Sequence, residues 1–377
     1  MPRTTQDLLA AEPAVGPGGA APGGGLRREG TALAMSGGGY RAMLFHAGAL
    51  VRLNEAGYLP RLDFVSSVSG GSITAGALAV AWDRLDFDEG GRALNLRELV
   101  LDPLRRMASH TVDAPSVLGG LLPRQRVSDR VGSAYRRHLF GTATLQDLPD
   151  RPRFVFCATN LQTAALFRFS KRYLADYRLG LVRHPDLPVA TAVAASSAFP
   201  PFLSPVVLRL PGGAWDPQVP PLADPALRAE IVLTDGGVYD NLGLEPVIKR
   251  CEKILVSDGG GYVGHPRSVP GDWLRQLRRV TSVIDHQVRN LRKRILVDGY
   301  ERGDFTGTYW GIRTDVARYG LADPPPFPRQ RASELAEIPT RLADMSRDAD
   351  DLVRWGYAVC DAALRRYEGV GAQPHPH

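Results

Sequence analysis

Two stretches of this chain, TALAMSGGGYRA at 31–42 and LDFVSSVSGGSITAG at 62–76, each carry a short apolar run through a serine–glycine turn into a helix-like run. A brief apolar run bounded by turn residues reads as a strand buried on both faces. A strand that passes at once into a helix, twice in succession, is the repeating unit of a parallel sheet covered by helices. The serines that face these glycines, Ser36 and Ser69, are 69 − 36 = 33 residues apart. Further strand-like runs at 154–159, 231–234 and 254–257, with helix-like runs at 40–56 and 72–82, extend the pattern. The fold class expected is α/β, three layers, with a central and mainly parallel sheet.

The chain has 377 residues, of which 44% are hydrophobic and 23% charged, a globular balance. Residues 1–27 are rich in Pro, Gly and Ala and read as a disordered arm; residues 369–377 read as a flexible tail. A single domain is therefore expected over residues 28–368. Residues 83–150 lack strand-like runs and read as a helical insertion over the sheet, in which 115–123, PSVLGGLLP, is either a mobile apolar loop or a buried turn. No apolar stretch approaches the roughly 18 residues of a membrane span. The first residues have no continuous apolar core of the kind a signal peptide needs, so a cytoplasmic location is expected.

Three cysteines, Cys157, Cys251 and Cys360, have no metal-ligand spacing and read as buried thiols. The formal charge of +6 is too mild to be a nucleic-acid footprint, and no nucleic-acid partner is expected. From 272 to 295, Leu277, Val280, Ile284, Val288, Leu291 and Ile295 recur at helical spacing, opposite Arg275, Arg278, Arg279, Arg289, Arg292, Lys293 and Arg294. The basic face of this helix is expected to be solvated, with contact to anionic lipid headgroups as the alternative.

Ser69 ends a buried run and stands before Gly70, Gly71 and a helix. A serine on so sharp a turn is lifted above the sheet edge, with the N–H groups of the helix directed toward it, which is the geometry of a nucleophile elbow. The usual Gly-x-Ser-x-Gly pattern is here Ser67-Val68-Ser69-Gly70-Gly71, with small Ser67 replacing the first glycine. Gly37, Gly38 and Gly39 expose backbone N–H groups fit to hold a phosphate or an oxyanion, and Arg41 stands where it can fix the loop. The Lys-Ser/Thr ending of a P-loop is missing. The same loop fits a loose dinucleotide fingerprint, Gly37-x-Gly39-x-x-Ala42, and keeps a nicotinamide-dependent oxidoreductase as an alternative. That fingerprint needs an acidic residue at the end of the next strand, whereas Asp63 lies at its beginning.

A serine nucleophile needs a base. Asp235, followed by Gly236 and Gly237, leaves a strand at the edge that would carry Ser69 if the strands are parallel. Asp258, followed by three glycines, does the same, and spacing alone does not choose between them. A Ser–Asp–His triad would take its histidine from His265, which follows Asp235 in the chain order of the α/β-hydrolases.

Four segments together resemble the patatin-like phospholipases. SGGGYRA at 36–42 is similar to that family's oxyanion loop with its basic residue, SVSGG at 67–71 to its nucleophile elbow, AASSAFPPFLSPV at 194–206 to its site wall, and DGGVYDN at 235–241 to its Asp-Gly-Gly motif. Ala42, like Ser67, departs from the pattern by a small side chain where glycine is common. The resemblance implies a patatin-like fold and a lipid acyl hydrolase of phospholipase A or lysophospholipase type. Its catalytic pair would be Ser69 and Asp235, with the oxyanion held by Gly37, Gly38 and Gly39. Arg41, Gly71, Gly236 and Gly237 would support the site, with no metal or cofactor. It favours Asp235 over Asp258, and it implies a lipid or acyl-ester substrate, with peripheral contact at an anionic membrane.

Overall fold

The computed structural model describes residues 28–112, 125–201, 203–261, 264, 269 and 271–372. The amino-terminal arm, the 115–123 segment, His265 and residues 373–377 lie outside the described residues. In chain order the elements that matter here are β1 (Thr31–Met35), α1 (Gly39–Glu55), β2 (Leu62–Val68), α2 (Gly70–Ala81), α3 (Asp102–Ala108), α4 (Gln125–Tyr135), β3 (Arg153–Asn160), β4 (Ala165–Phe169), β5 (Tyr173–Asp176), β6 (Gly180–Arg183) and α5 (Val189–Ser196). They continue with β7 (Val206–Leu208), β8 (Ile231–Asp235), α6 (Gly237–Asp240), β9 (Lys253–Asp258), α7 (Trp273–Arg302), β10 (Thr306–Gly311), α8 (Arg329–Glu337) and α9 (Ala349–Tyr367).

One ten-stranded sheet runs β10-β9-β1-β2-β3-β4-β5-β6, with β8 paired to β3 and β7 to β8. The parallel arrangement expected from the sequence holds from β10 to β3. Beyond β3 every pairing is antiparallel, so the sheet is mixed. The connections between β3, β4, β5 and β6 are too short for a crossover helix and permit only hairpins.

Alternation along the central strands separates two cores. Leu33, Met35 and Leu255 face α1 and α9, whereas Ala32, Ala34, Ile254 and Val256 share a core with Leu242, Val247 and, from α7, Leu296. The described part of 83–150 combines short helices with irregular stretches and a Phe87–Ala93 β-bridge, and Leu104, Met107, Val131 and Tyr135 join the first core. No helix among the described residues is long and apolar enough to cross a membrane.

The helix expected at 272–295 forms as α7, with Arg275 and Arg294 exposed as expected, but much of its basic and apolar faces is placed the other way round. Arg289, Arg292 and Lys293 turn toward the body, where Arg292 lies 3.0 Å from Glu245 and 3.5 Å from Asp240, while Leu277, Val280, Ile284, Leu291 and Ile295 are exposed. The carboxylates at the sheet edge decide this. Asp258 and Asp240 are buried and need cations, and α7 supplies them.

Candidate active site

Ser69 follows β2 without a break and adopts φ 52° and ψ −117° before α2 begins. A serine in this left-handed region carries strain of about 1–3 kcal/mol, which the surroundings must hold in place. They do so with a serine cluster. The Ser69 N–H donates to Ser196 Oγ at 3.0 Å, and Ser196 Oγ donates to the Cys157 carbonyl at 2.6 Å. Ser72 Oγ lies 2.8 Å from Ser196 Oγ and 2.9 Å from Ser67 Oγ. Ser67 therefore fits where glycine is usual because its hydroxyl is buried within this cluster. Ser196, from the 194–206 segment, thus holds the elbow directly.

Asp235 ends β8 and reaches Ser69 by a route that differs from the parallel one expected. β2 pairs with β3 through Val68 and Cys157, and β8 pairs antiparallel with the rest of the same edge through Ala158 and Asp235. The two carboxyl ends thus meet head to head along β3. The turn after Asp235 is tied down by Asp235 N–H to the Ala198 carbonyl (3.0 Å), Gly236 N–H to the Ser196 carbonyl (3.2 Å) and Thr159 Oγ1 to the Asp235 carbonyl (2.9 Å). Gly236 has no room for a side chain, since a Cβ there would lie 2.2 Å from the Cys157 carbonyl oxygen. Gly236→Ala is expected to push β8 off β3 and to cost about 1–3 kcal/mol of stability or more, read by urea denaturation. An unchanged midpoint would show that the strands are not held this tightly.

The Asp235 carboxyl is buried. One oxygen, Oδ1, accepts the Gly237 N–H at 2.7 Å. Burial pushes its pKa up to about 7, aided by the charge of Asp285 on α7 and opposed by the Gly237 N–H and the Ser69 hydroxyl. Oδ2 is buried without a hydrogen bond of ordinary geometry among the described residues, so the Ser69 contact is a loose one, as resting sites often are.

The triglycine loop lies against the serine, and a Cβ on Gly37 would stand 3.1 Å from Ser69 Cβ. Its three amides differ. The Gly37 N–H donates to the Asn241 carbonyl at 3.0 Å and is committed there, which corrects the expectation that all three face a ligand. The amides of Gly38 and Gly39 have no partner among the described residues, and neither does that of Gly70 at the start of α2. Gly71 N–H ties α2 to the loop through the Ser36 carbonyl at 3.1 Å. Asn241, which sequence reasoning did not single out, sits between the two turns. Cβ atoms on Gly37 and Gly237 would approach its Oδ1 to 2.4 and 2.6 Å.

Arg41 is buried and does not reach Ser69. It donates to the Gly259 carbonyl at 3.1 and 3.2 Å, to Thr340 Oγ1 and to the Ile338 carbonyl, fixing the loop to the body. Burial and Arg289 bring its guanidinium down to about 10 against the pull of Asp258. Burial alone would raise the Asp258 carboxyl, but Lys293 (2.5 Å) and Arg289 (3.5 Å) overcome it and hold it far below the usual range, with Tyr309 donating at 2.7 Å. Asp258 is an ion-pair anchor.

His46, also missed as a functional candidate, is fully buried. Its Nε2 lies 2.9 Å from the Ser36 carbonyl and its Nδ1 2.7 Å from Ser257 Oγ. Burial lowers it to about 4, so the ring is neutral and Nε2 carries the proton. It positions the glycine loop and does not face Ser69. Asp63 accepts the Thr31 N–H at 2.8 Å at the opposite end of β2, away from the loop, where it cannot read a ribose.

The family model described as patatin-like phospholipase matches residues 33–248, a span that includes the glycine loop, the elbow and the Asp-Gly-Gly turn. No curated protein sequence matches the chain. Among solved structures, human GIVD cytosolic phospholipase A2 is similar with a TM-score of 0.50 and 14% identity over 94% of this chain and 60% of that one. VipD from Legionella pneumophila is similar with a TM-score of 0.32 and 16% identity, over 86% of this chain and 66% of that one. The chain spans about 60% of the length of the human protein, and at such identities the likeness concerns the fold. With more than half of its residues matched, and the α/β/α architecture around them, the chain belongs to the patatin-like phospholipase family.

Proposed function

We propose that this chain is a serine lipid acyl hydrolase, of phospholipase A or lysophospholipase type, working through a Ser69–Asp235 dyad. The observation that carries the reading is the facing of a strained, buried serine and a buried carboxyl whose pKa is raised to about 7. A carboxylate of ordinary basicity is too weak to take a serine proton; one raised by burial is matched to neutral pH. Asp235 Oδ2 accepts the Ser69 proton as Oγ attacks the ester carbonyl. The oxyanion then falls to the amides of Gly38, Gly39 and Gly70, each donor worth roughly 3 kcal/mol. Asp235 returns the proton to the departing alcohol and next deprotonates the water that releases the acyl group. The substrate is a lipid or acyl ester, and a lipid held in a bilayer brings the chain to a membrane surface.

A fluorophosphonate probe tests the site. It is expected to label Ser69 alone, at a rate that rises with pH through about 7 as a single group ionises, because only the carboxylate form of Asp235 activates the serine. Labelling elsewhere, or a rate flat across that range in a folded protein, would overturn the dyad.

A further inference from the structure

We infer that the outward face of α7 is the surface through which this chain docks on an anionic lipid bilayer, an inference that rests on the lipid-hydrolase reading. Trp273, Leu277, Val280, Ile284, Leu291 and Ile295 fall on one stripe of the helix. At 1.5 Å per residue that stripe is about 33 Å long. Trp273 is 76% exposed, Leu277 57% and Ile284 56%. A helix normally turns such a stripe inward. Here the inward side is taken by Arg289, Arg292 and Lys293 on their carboxylates and by Leu296 in the second core, so the apolar face is directed away from the body.

The chemistry of the occupant follows from what borders the stripe and where it lies. Arg294 lies beside the stripe, with Arg279 and Arg275 further round, and the chain as a whole carries +6. Apolar side chains flanked by arginines match the boundary between acyl chains and anionic headgroups. The helix also lies next to the proposed chemistry. Arg292 donates to the Tyr239 carbonyl at 3.3 Å, just after the Asp235–Gly236–Gly237 turn, and Asp285 of α7 acts on Asp235. Val238, in the turn that follows Asp235, is exposed as well. A bilayer held by α7 would therefore meet the helix that packs against the Asp235 turn.

The test uses the full chain carrying Ser69→Ala, so that vesicles stay intact. It is expected to cosediment with vesicles of phosphatidylcholine and phosphatidylglycerol, less in high salt, with a blue shift of Trp273 fluorescence that Trp273→Phe removes. Adding Leu277→Asp and Ile284→Asp, both at exposed positions, should weaken vesicle binding by about tenfold or more. The same two substitutions in the active chain should leave hydrolysis of a dissolved p-nitrophenyl ester and the melting temperature unchanged. Undiminished binding by the doubly substituted chain would overturn the proposal. So would a chain that ignores vesicles and runs as a dimer which the substitutions dissociate, since α7 would then be an interface between copies. Vesicle binding through α7 with no ester hydrolysis by the intact chain would support the docking surface and overturn the hydrolase reading instead.

Discussion

Ser69→Ala is expected to lower kcat/KM for ester hydrolysis by at least about 10⁴-fold, and Asp235→Asn to do nearly the same. Because the proposed dyad acts as one unit, the double variant should be little worse than either single one. Neither loss should come from unfolding. Alanine at 69 keeps the backbone strain and removes only the hydroxyl, and asparagine at 235 keeps the oxygen that accepts the Gly237 N–H. His265→Ala should leave hydrolysis largely intact; a loss comparable to that of Ser69→Ala would make the site a triad. Asp258→Asn separates chemistry from architecture. It leaves Arg289 and Lys293 facing a neutral amide and should cost stability, about 3–5 kcal/mol for breaking a buried pair, while kcat per folded molecule survives. Hydrolysis of short p-nitrophenyl esters and of phospholipids by each purified variant, beside its melting curve, reads both quantities.

The contrast between Asp235 and Asp258 also shows how far a sequence can carry such an assignment. Both residues end apolar strands and precede glycines, so local pattern treats them alike. What separates them is what stands opposite. Asp258 meets two cations from α7, more than thirty residues further on, and Asp235 meets a hydroxyl. Those partners are tertiary and leave no trace in spacing. The strand–turn–helix units at Ser36 and Ser69 were legible because each is made within a dozen residues by apolar run, glycine turn and helix. The antiparallel course of β8 was not, since register is set across the sheet, and Asp235 reaches Ser69 only because β8 completes the edge of β3 that β2 leaves open. Periodicity likewise showed that the apolar residues of α7 share a face, yet whether that face packs inward depended on the buried carboxylates waiting at the sheet edge. The commitment of the Gly37 amide to Asn241 was hidden for a related reason, since a backbone carbonyl carries no residue-type signal.

Asp235→Asn should also make the protein more stable in mild alkali, and the sign follows from the direction of the carboxyl's shift. An aspartate in the unfolded chain ionises near 3.9, whereas in the folded protein it holds its proton to about 7. Between these values the folded state binds the extra proton, so stability falls as pH rises and the full penalty remains above about 7. Three units at 1.36 kcal/mol each set an upper bound of roughly 4 kcal/mol. Asparagine is uncharged at every pH and keeps the Gly237 contact, so it escapes this penalty. Its melting temperature should exceed that of the native chain by several degrees at about pH 8.5, and the gap should narrow as pH falls below about 7 and close only toward about pH 4, where the unfolded carboxyl is protonated as well. His46, whose imidazole must stay neutral, weakens both proteins equally toward acid and cancels in the difference. Parallel melting curves across that range would mean that the Asp235 carboxylate is ionised at no cost, and a base without that raised pKa would be too weak to activate Ser69 unaided. The gain in stability and the loss of hydrolysis are thus two readings of the same buried charge.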